Sequence, residues 1–272
     1  MSRLEDISAA FIAARKDARA LNAFPGTVPA SLEEAYQVQS CSIRNWGEPV
    51  AGFKVGGIGA HWRETYPSPW LAGPVFPSVV FTGKDGEFVD VPVFAGGFAA
   101  YEPELIMRFE NPSRMIAPIQ TLDDAKSLVT TLHIGAEIAS SPLADLNKLG
   151  PGSIISDFGN QAGMIVGPEI PLGWLDTLDE LTVITEIDGE EIGRASPGLA
   201  DKGPLGALLF LCQHLQSGAV SDIDADYLWL SSGAITGVHE AKIGSRCRMR
   251  YVGLGDICVE MMARSPLEQT QS

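Results

Sequence analysis

The hydrophobic pattern changes period once along the chain. Over residues 2–21, Leu4, Ile7, Phe11 and Ile12 recur at helical spacing with charged residues between them, which predicts a helix with one buried face. Pro25, Gly26 and Pro29 mark a loop. A second helix opens at Ser31, where Ser31-Leu32-Glu33-Glu34 reads as a capping box, and runs to Trp46 with Gly47 as its stop. From Val50 the runs shorten and become β-rich. Strands are predicted at 79–81, 88–93, 181–187, 191–194, 227–230, 247–252 and 257–262, the last closing the sheet. Lys84-Asp85-Gly86-Glu87 and Asp188-Gly189 are read as hairpin turns. Two helices interrupt the strands, at 122–132 after Thr121 and at 204–216, the latter with proline in its first turn and Gly218 past its end. This order predicts one α+β domain: a helical section over 1–50, a β-rich core over 51–265 and a polar tail over 266–272.

Composition narrows the function classes. With 272 residues, 45% hydrophobic and 19% charged, the chain can bury a large core and is not disordered. A formal charge of −15 and the lack of a basic block argue against nucleic acid as a partner. No secretory signal and no apolar run long enough to span a membrane is visible, so a cytoplasmic location is expected. Cys41, Cys212, Cys247 and Cys258 show no CxxC spacing and read as free thiols.

The chemistry concentrates in Tyr101-Glu102-Pro103-Glu104, with a further carboxylate at Glu137. Glutamates at i and i+2 leave the same side of a strand. A third carboxylate at that spot would make a cluster whose members raise one another's pKa unless a cation intervenes. An all-oxygen donor set suits Mg²⁺ or Mn²⁺. The competing reading is a solvated strand face carrying two unremarkable glutamates. Lys54, in Phe53-Lys54-Val55-Gly56-Gly57, sits among apolar residues and is either snorkelling or held in a site. Ser156-Asp157-Phe158-Gly159-Asn160 and Leu230-Ser231-Ser232-Gly233 are polar loops open to either a substrate or a turn role. No dinucleotide fingerprint and no serine-hydrolase motif is present, and His61, His133, His214 and His239 are scattered.

Taken in order, these segments resemble the 2-keto-4-pentenoate hydratase / 4-oxalocrotonate decarboxylase branch of the fumarylacetoacetate hydrolase superfamily. The likeness rests on Glu33–Gln39, on Gly52-Phe53-Lys54-Val55-Gly56, on Glu102-Pro103-Glu104, on Ala136-Glu137-Ile138 and on Val252-Gly253-Leu254-Gly255. It implies a mixed β-sheet roll of the fumarylacetoacetase C-terminal type and a homo-oligomer. It implies Glu102, Glu104 and Glu137 as ligands of Mg²⁺ or Mn²⁺, and Lys54 and Asp157 as catalytic groups. Gly57, Asn160 and Ser232 would be substrate contacts. The implied reaction is hydration of a 2-hydroxy-2,4-dienoate to a 4-hydroxy-2-oxo acid through a metal-stabilised enolate. A 2-oxo acid decarboxylase, an acylpyruvate-type hydrolase and an inactive supporting subunit stand as alternatives. Three departures fall at the substrate end, one of them the segment His61 to Trp70, which differs from the family's loop after the lysine and carries Arg63. Phe158 and Asn160 stand where the family has Asn and Ser, and Ala139-Ser140-Ser141 carries no Arg after the third glutamate.

Overall fold

A computed structural model describes residues 2–198, 200–220 and 223–267. The end of the polar tail, 268–272, lies outside the described residues. The fold is α+β, as the pattern predicts. Helix α1 (Arg3–Lys16) is closed by a capping box between Ser2 and Glu5, and α2 (Leu32–Trp46) starts at Ser31 and stops at Gly47, whose φ is +96°. At the second start only half of the box forms. Ser31 accepts from the Glu34 amide, while the Glu34 carboxylate accepts from Ala30 N instead.

The first strands are β1 (Gly52–Gly57), β2 (Trp70–Val75), β3 (Val80–Thr82) and β4 (Phe88–Val93). The long pair β5 (Phe98–Glu110) and β6 (Val129–Ser141) flanks α3 (Leu122–Ser127). Helix α4 (Pro151–Ser156) precedes β7 (Gln161–Ile170), β8 (Val183–Ile187) and β9 (Glu190–Ala195). Helix α5 (Gly203–Gln216) precedes β10 (Tyr227–Ser231), β11 (His239–Glu240), β12 (Arg246–Tyr251) and β13 (Gly255–Ala263). Among the described residues these strands form two mixed sheets. One runs β2-β1-β10-β5-β6-β7-β3, with β11 added to β5, and the other runs β4-β13-β12-β8-β9.

Three expectations need correction. The turn at Lys84–Glu87 exists, but it does not close a hairpin: β3 pairs parallel with β7 in the large sheet and β4 pairs parallel with β13 in the small one. Turn chemistry fixes a bend, not the strand that receives it. The helix expected over 122–132 ends at Ser127, and the β-branched run from Val129 starts a strand, so His133 lies on β6. Finally, β13 lies between β4 and β12 rather than at an edge. The 188–189 hairpin joins β8 and β9 as expected.

The two sheets share one apolar core, to which β5 contributes Leu105 and Met107, β6 Leu132 and Ile134, and β12 Met249 and Tyr251. The Tyr251 hydroxyl donates to the backbone carbonyls of Glu104 (2.7 Å) and Gly135 (2.5 Å), and Tyr101 OH donates to Ser245 O at 2.7 Å. Tyr101 therefore points toward the small sheet. By strand alternation Glu102 and Glu104 leave the opposite face. A cavity lies on that face. Lys54 on β1 reaches across β10 and β5 to Glu137 on β6, Nζ to Oε1, at 2.9 Å.

Candidate metal centre

The carboxylate cluster is built by register. Glu102 on β5 stands directly opposite Glu137 on β6, and Glu104 stands opposite Gly135. A side chain at Gly135 would meet Ile165 O at 2.3 Å and Ile106 Cγ1 at 2.4 Å, so the residue facing Glu104 has to be glycine. The solvated-face reading is excluded: Glu102 is 5% exposed, and Glu104 and Glu137 are 0% exposed. Each glutamate can offer an oxygen such that all three lie within 4.8 Å of one another. Like charges placed directly across a strand pair destabilise it unless a cation lies between them.

Only part of that charge is compensated within the chain. Lys54 Nζ forms an ion pair with Glu137 Oε1 and donates to Asn160 Oδ1 at 3.2 Å. Glu104 Oε2 accepts from Ser231 Oγ at 2.5 Å and from Gly233 N at 2.8 Å. Glu104 Oε1 and Glu137 Oε2 are buried without a hydrogen-bond partner. Burial raises the pKa of all three carboxyls. Glu104 stands well above the usual range, with Glu137 and Glu102 adding to the effect of burial. Glu137 is pushed up to about 8. Burial works to lower the Lys54 pKa, but the pull of Glu137, Glu102 and Glu104 outweighs it and raises the group, which stays cationic. Three hard, buried oxygen donors with unused lone pairs are a donor set that fits Mg²⁺ or Mn²⁺.

A cavity of about 470 Å³ opens beside this cluster. Lys54 and Glu102 are the ionisable side chains on its wall among the described residues. Gly57, Asn160 and Ser232, expected as substrate contacts, all line it, and Ser232 Oγ is buried without a partner. Trp70, Leu71, Ile154 and Val238 supply an apolar wall, and Gly203 and Pro204 bring the start of α5 to it.

Asp157 is not part of this lining, a correction to its expected place at the substrate. It is 0% exposed and accepts from Arg15 Nε at 2.5 Å through Oδ1, while its Oδ2 is unpartnered. The reason is the backbone after it. Phe158, Gly159 and Asn160 have φ of +53°, +67° and +58°, and this left-handed turn sends Asn160 toward Lys54 while Asp157 faces α1. Arg15 Nη2 also donates to Ser140 O at 3.2 Å. Sequence reasoning passed over Arg15, and it left the hydroxyls of 230–233 open between a site and a turn role, of which Ser231 takes the first. Arg15 had a signal, because Ile7, Phe11 and Arg15 recur every four residues and place a charge on the buried stripe of α1.

No protein-family model and no curated protein matches the chain. Among solved structures it is similar to 4-oxalocrotonate decarboxylase from Pseudomonas putida G7 complexed with magnesium and adipate. Identity is 22%, coverage is 96% of this chain and 99% of that one, and the TM-score is 0.75. The same enzyme complexed with calcium and acetate gives 20% identity, the same coverage and a TM-score of 0.73. Fumarylpyruvate hydrolase from Pseudomonas aeruginosa in complex with Mn²⁺ and pyruvate gives 18% identity, 80% and 91% coverage, and a TM-score of 0.53. The chain thus has the fold of these fumarylacetoacetate hydrolase superfamily enzymes, and the resemblance drawn from its motifs holds at the level of fold.

Proposed function

We propose that the protein is a divalent-metal-dependent lyase acting on a 2-oxo or 2-hydroxydienoic acid, and that it adds water to a 2-hydroxy-2,4-dienoate. The observation that carries this reading is the convergence of three buried glutamates and Lys54 in one cluster, of which Glu102 and Lys54 reach the wall of a cavity. Glu102, Glu104 and Glu137 would hold Mg²⁺ or Mn²⁺, which supplies Lewis acidity toward the carboxylate and 2-oxygen of such an acid.

The chain's own groups account for the rest. Lys54 holds a fixed positive charge beside the substrate's developing enolate oxygen and is the cavity's proton carrier. Asn160 accepts from Lys54 and so fixes the direction of that ammonium group. Ser232 Oγ, with no partner among the described residues, is free to orient the carboxylate or the attacking water. Lys54 is the cationic side chain on the cavity wall among the described residues, which suits an acid bearing one carboxylate. One observation favours a second reading, decarboxylation of a dicarboxylic 2-oxo acid. The start of α5 at Gly203 and Pro204 reaches the cavity, and a helix N-terminus can receive a second carboxylate.

Incubation with Mg²⁺ and either 2-hydroxypenta-2,4-dienoate or a 2-oxohexenedioate, followed by ultraviolet absorbance and product mass, separates the two. A product heavier by one water from the first acid supports hydration, and loss of CO₂ from the second supports decarboxylation. Failure to turn over either acid in the presence of Mg²⁺ or Mn²⁺ rejects the lyase reading.

A further inference from the structure

We propose that Arg15 is a positioning residue for the carboxylate cavity: from α1 it locks the Phe158–Asn160 turn in the conformation that holds Asn160 against Lys54. The claim rests on the functional reading above only where ligand binding is measured.

Arg15 is 4% exposed and uses its whole guanidinium fork. Nε donates to Asp157 Oδ1, Nη1 to Gln161 O at 3.0 Å, and Nη2 to Asp157 O at 3.1 Å and Ser140 O at 3.2 Å. Asp157 and Gln161 are the residues immediately before and after the left-handed turn, so a single side chain from α1 grips both ends of it. The turn needs such a grip. Phe158 and Asn160 are not glycines, and left-handed backbone persists at such residues only where the surroundings impose it. The Phe158 ring adds a second anchor, edge-on to Trp46 and Phe76 and beneath the Arg15 guanidinium at 5.4 Å.

The turn in turn touches the site twice. Asn160 Oδ1 accepts from Lys54 Nζ, and a Cβ at Gly159 would lie 2.9 Å from Lys54 Cδ. A shift of the turn therefore moves both the stem and the head of Lys54. A role limited to neutralising Asp157 would require only a positive charge. Positioning requires the planar fork, because Lys cannot serve one carboxylate and three carbonyls on two elements at once.

Arg15→Lys separates these roles, since it keeps the charge and removes the fork. The expected variant is folded and takes up Mg²⁺ with wild-type affinity. In its ligand-free crystal structure the 158–160 turn has moved and the Asn160–Lys54 contact is gone. Its affinity for oxalate in the presence of Mg²⁺, measured by calorimetry as a stand-in for a 2-oxo acid, falls roughly tenfold. Combining Arg15→Lys with Asn160→Ala costs no more than Asn160→Ala alone, because both act through one contact. An unchanged turn, wild-type oxalate affinity, or penalties that add in full would overturn the proposal. Should Arg15→Lys not fold, Asp157→Asn separates the roles from the other side. It removes the charge pair but leaves Arg15 bonded to its three carbonyls, so the turn, the Asn160–Lys54 contact and the oxalate affinity should stay as in wild type, and a displaced turn would overturn the proposal. A wild-type protein that binds Mg²⁺ but not oxalate would sink the 2-oxo acid reading, while the variant's crystal structure would still decide the role of Arg15.

Discussion

Two buried ionic clusters lie on either side of the Phe158–Asn160 turn, and they differ in how their charge is balanced. In the clamp, Asp157 faces Arg15, which makes four hydrogen bonds, and also feels a second cation, Arg264, so no negative charge is left in excess. In the cavity, Lys54 faces Glu102, Glu104 and Glu137, one positive against three negative, and two carboxylate oxygens on Glu104 and Glu137 have no partner. A balanced cluster can be a finished piece of architecture. An unbalanced one, deep in a core and open to a cavity, requires either protons or a cation from outside, and its deficit equals the charge of one divalent ion. Buried carboxylate alone does not mark a functional site, and neither does an unpartnered oxygen, since Asp157 Oδ2 is one as well; here the excess of negative charge separates the metal centre from the clamp.

Charge-removing substitutions test this contrast hardest. Glu104→Gln should abolish Mg²⁺ binding and lower turnover by on the order of a hundredfold or more, since the Lewis-acid contribution is worth several kcal/mol. In the absence of metal the same substitution should raise the melting temperature, because it removes one of three mutually repelling buried carboxylates. Arg15→Ala should do the opposite. It leaves Asp157 buried and uncompensated, and should lower stability by about 3–5 kcal/mol. Metal titration and thermal unfolding of both variants check the pair. A metal-free Glu104→Gln protein less stable than wild type would erase the distinction between the clusters.

Proton linkage gives a second, smaller test. Burial raises the Glu137 carboxyl from its ordinary 4.5 to about 8 and raises Glu102 and Glu104 in the same direction. The folded protein then holds these protons more tightly than the unfolded chain does. For Glu137 this stabilising contribution is complete below about pH 4.5 and is lost as pH rises through about 8; Glu102 and Glu104 act in the same direction. Metal-free protein should therefore lose several degrees of melting temperature between these limits. Saturating Mg²⁺ should remove that slope by holding the carboxylates ionised. Thermal scans across pH with EDTA or with Mg²⁺ measure the difference, and identical slopes under both conditions would show that the ion does not reside among these glutamates.

What could be read in the sequence follows the range of each signal. The Glu102/Glu104 pair was legible because strand alternation is local and places i and i+2 on one face. Glu137 joined it only through resemblance, since cross-strand register is a long-range property. The two N-terminal helices were legible from Ser31, Gly47 and the apolar stripe. The end of α3 was not, because Thr121 and Asp124 announce a start while Val129 onward obeys the sheet. The position of Asp157 departs most from what the resemblance implies. Asp157 and Asn160 are near neighbours in the chain, and the resemblance implies a place at the substrate for both. A three-residue left-handed turn separates their directions, and only one of its residues is a glycine, the usual sequence mark of such backbone.

The smallest effect is expected within a single dipeptide. Ser231 is the last residue of β10 and Ser232 follows it, and the two side chains have different tasks. Ser231 Oγ donates to Glu104 Oε2, fixing the carboxylate that would hold the ion, while Ser232 Oγ lines the cavity without a partner. Ser231→Ala removes a hydrogen bond to a charged, buried acceptor and should weaken Mg²⁺ binding roughly tenfold. Ser232→Ala should leave Mg²⁺ affinity unchanged and weaken oxalate binding by a few-fold, the cost of one neutral hydrogen bond. Calorimetry with Mg²⁺ alone and then with oxalate resolves the two steps. If the serines exchange these effects, the ion sits nearer the cavity mouth than the three glutamates and the charge-imbalance argument loses its anchor.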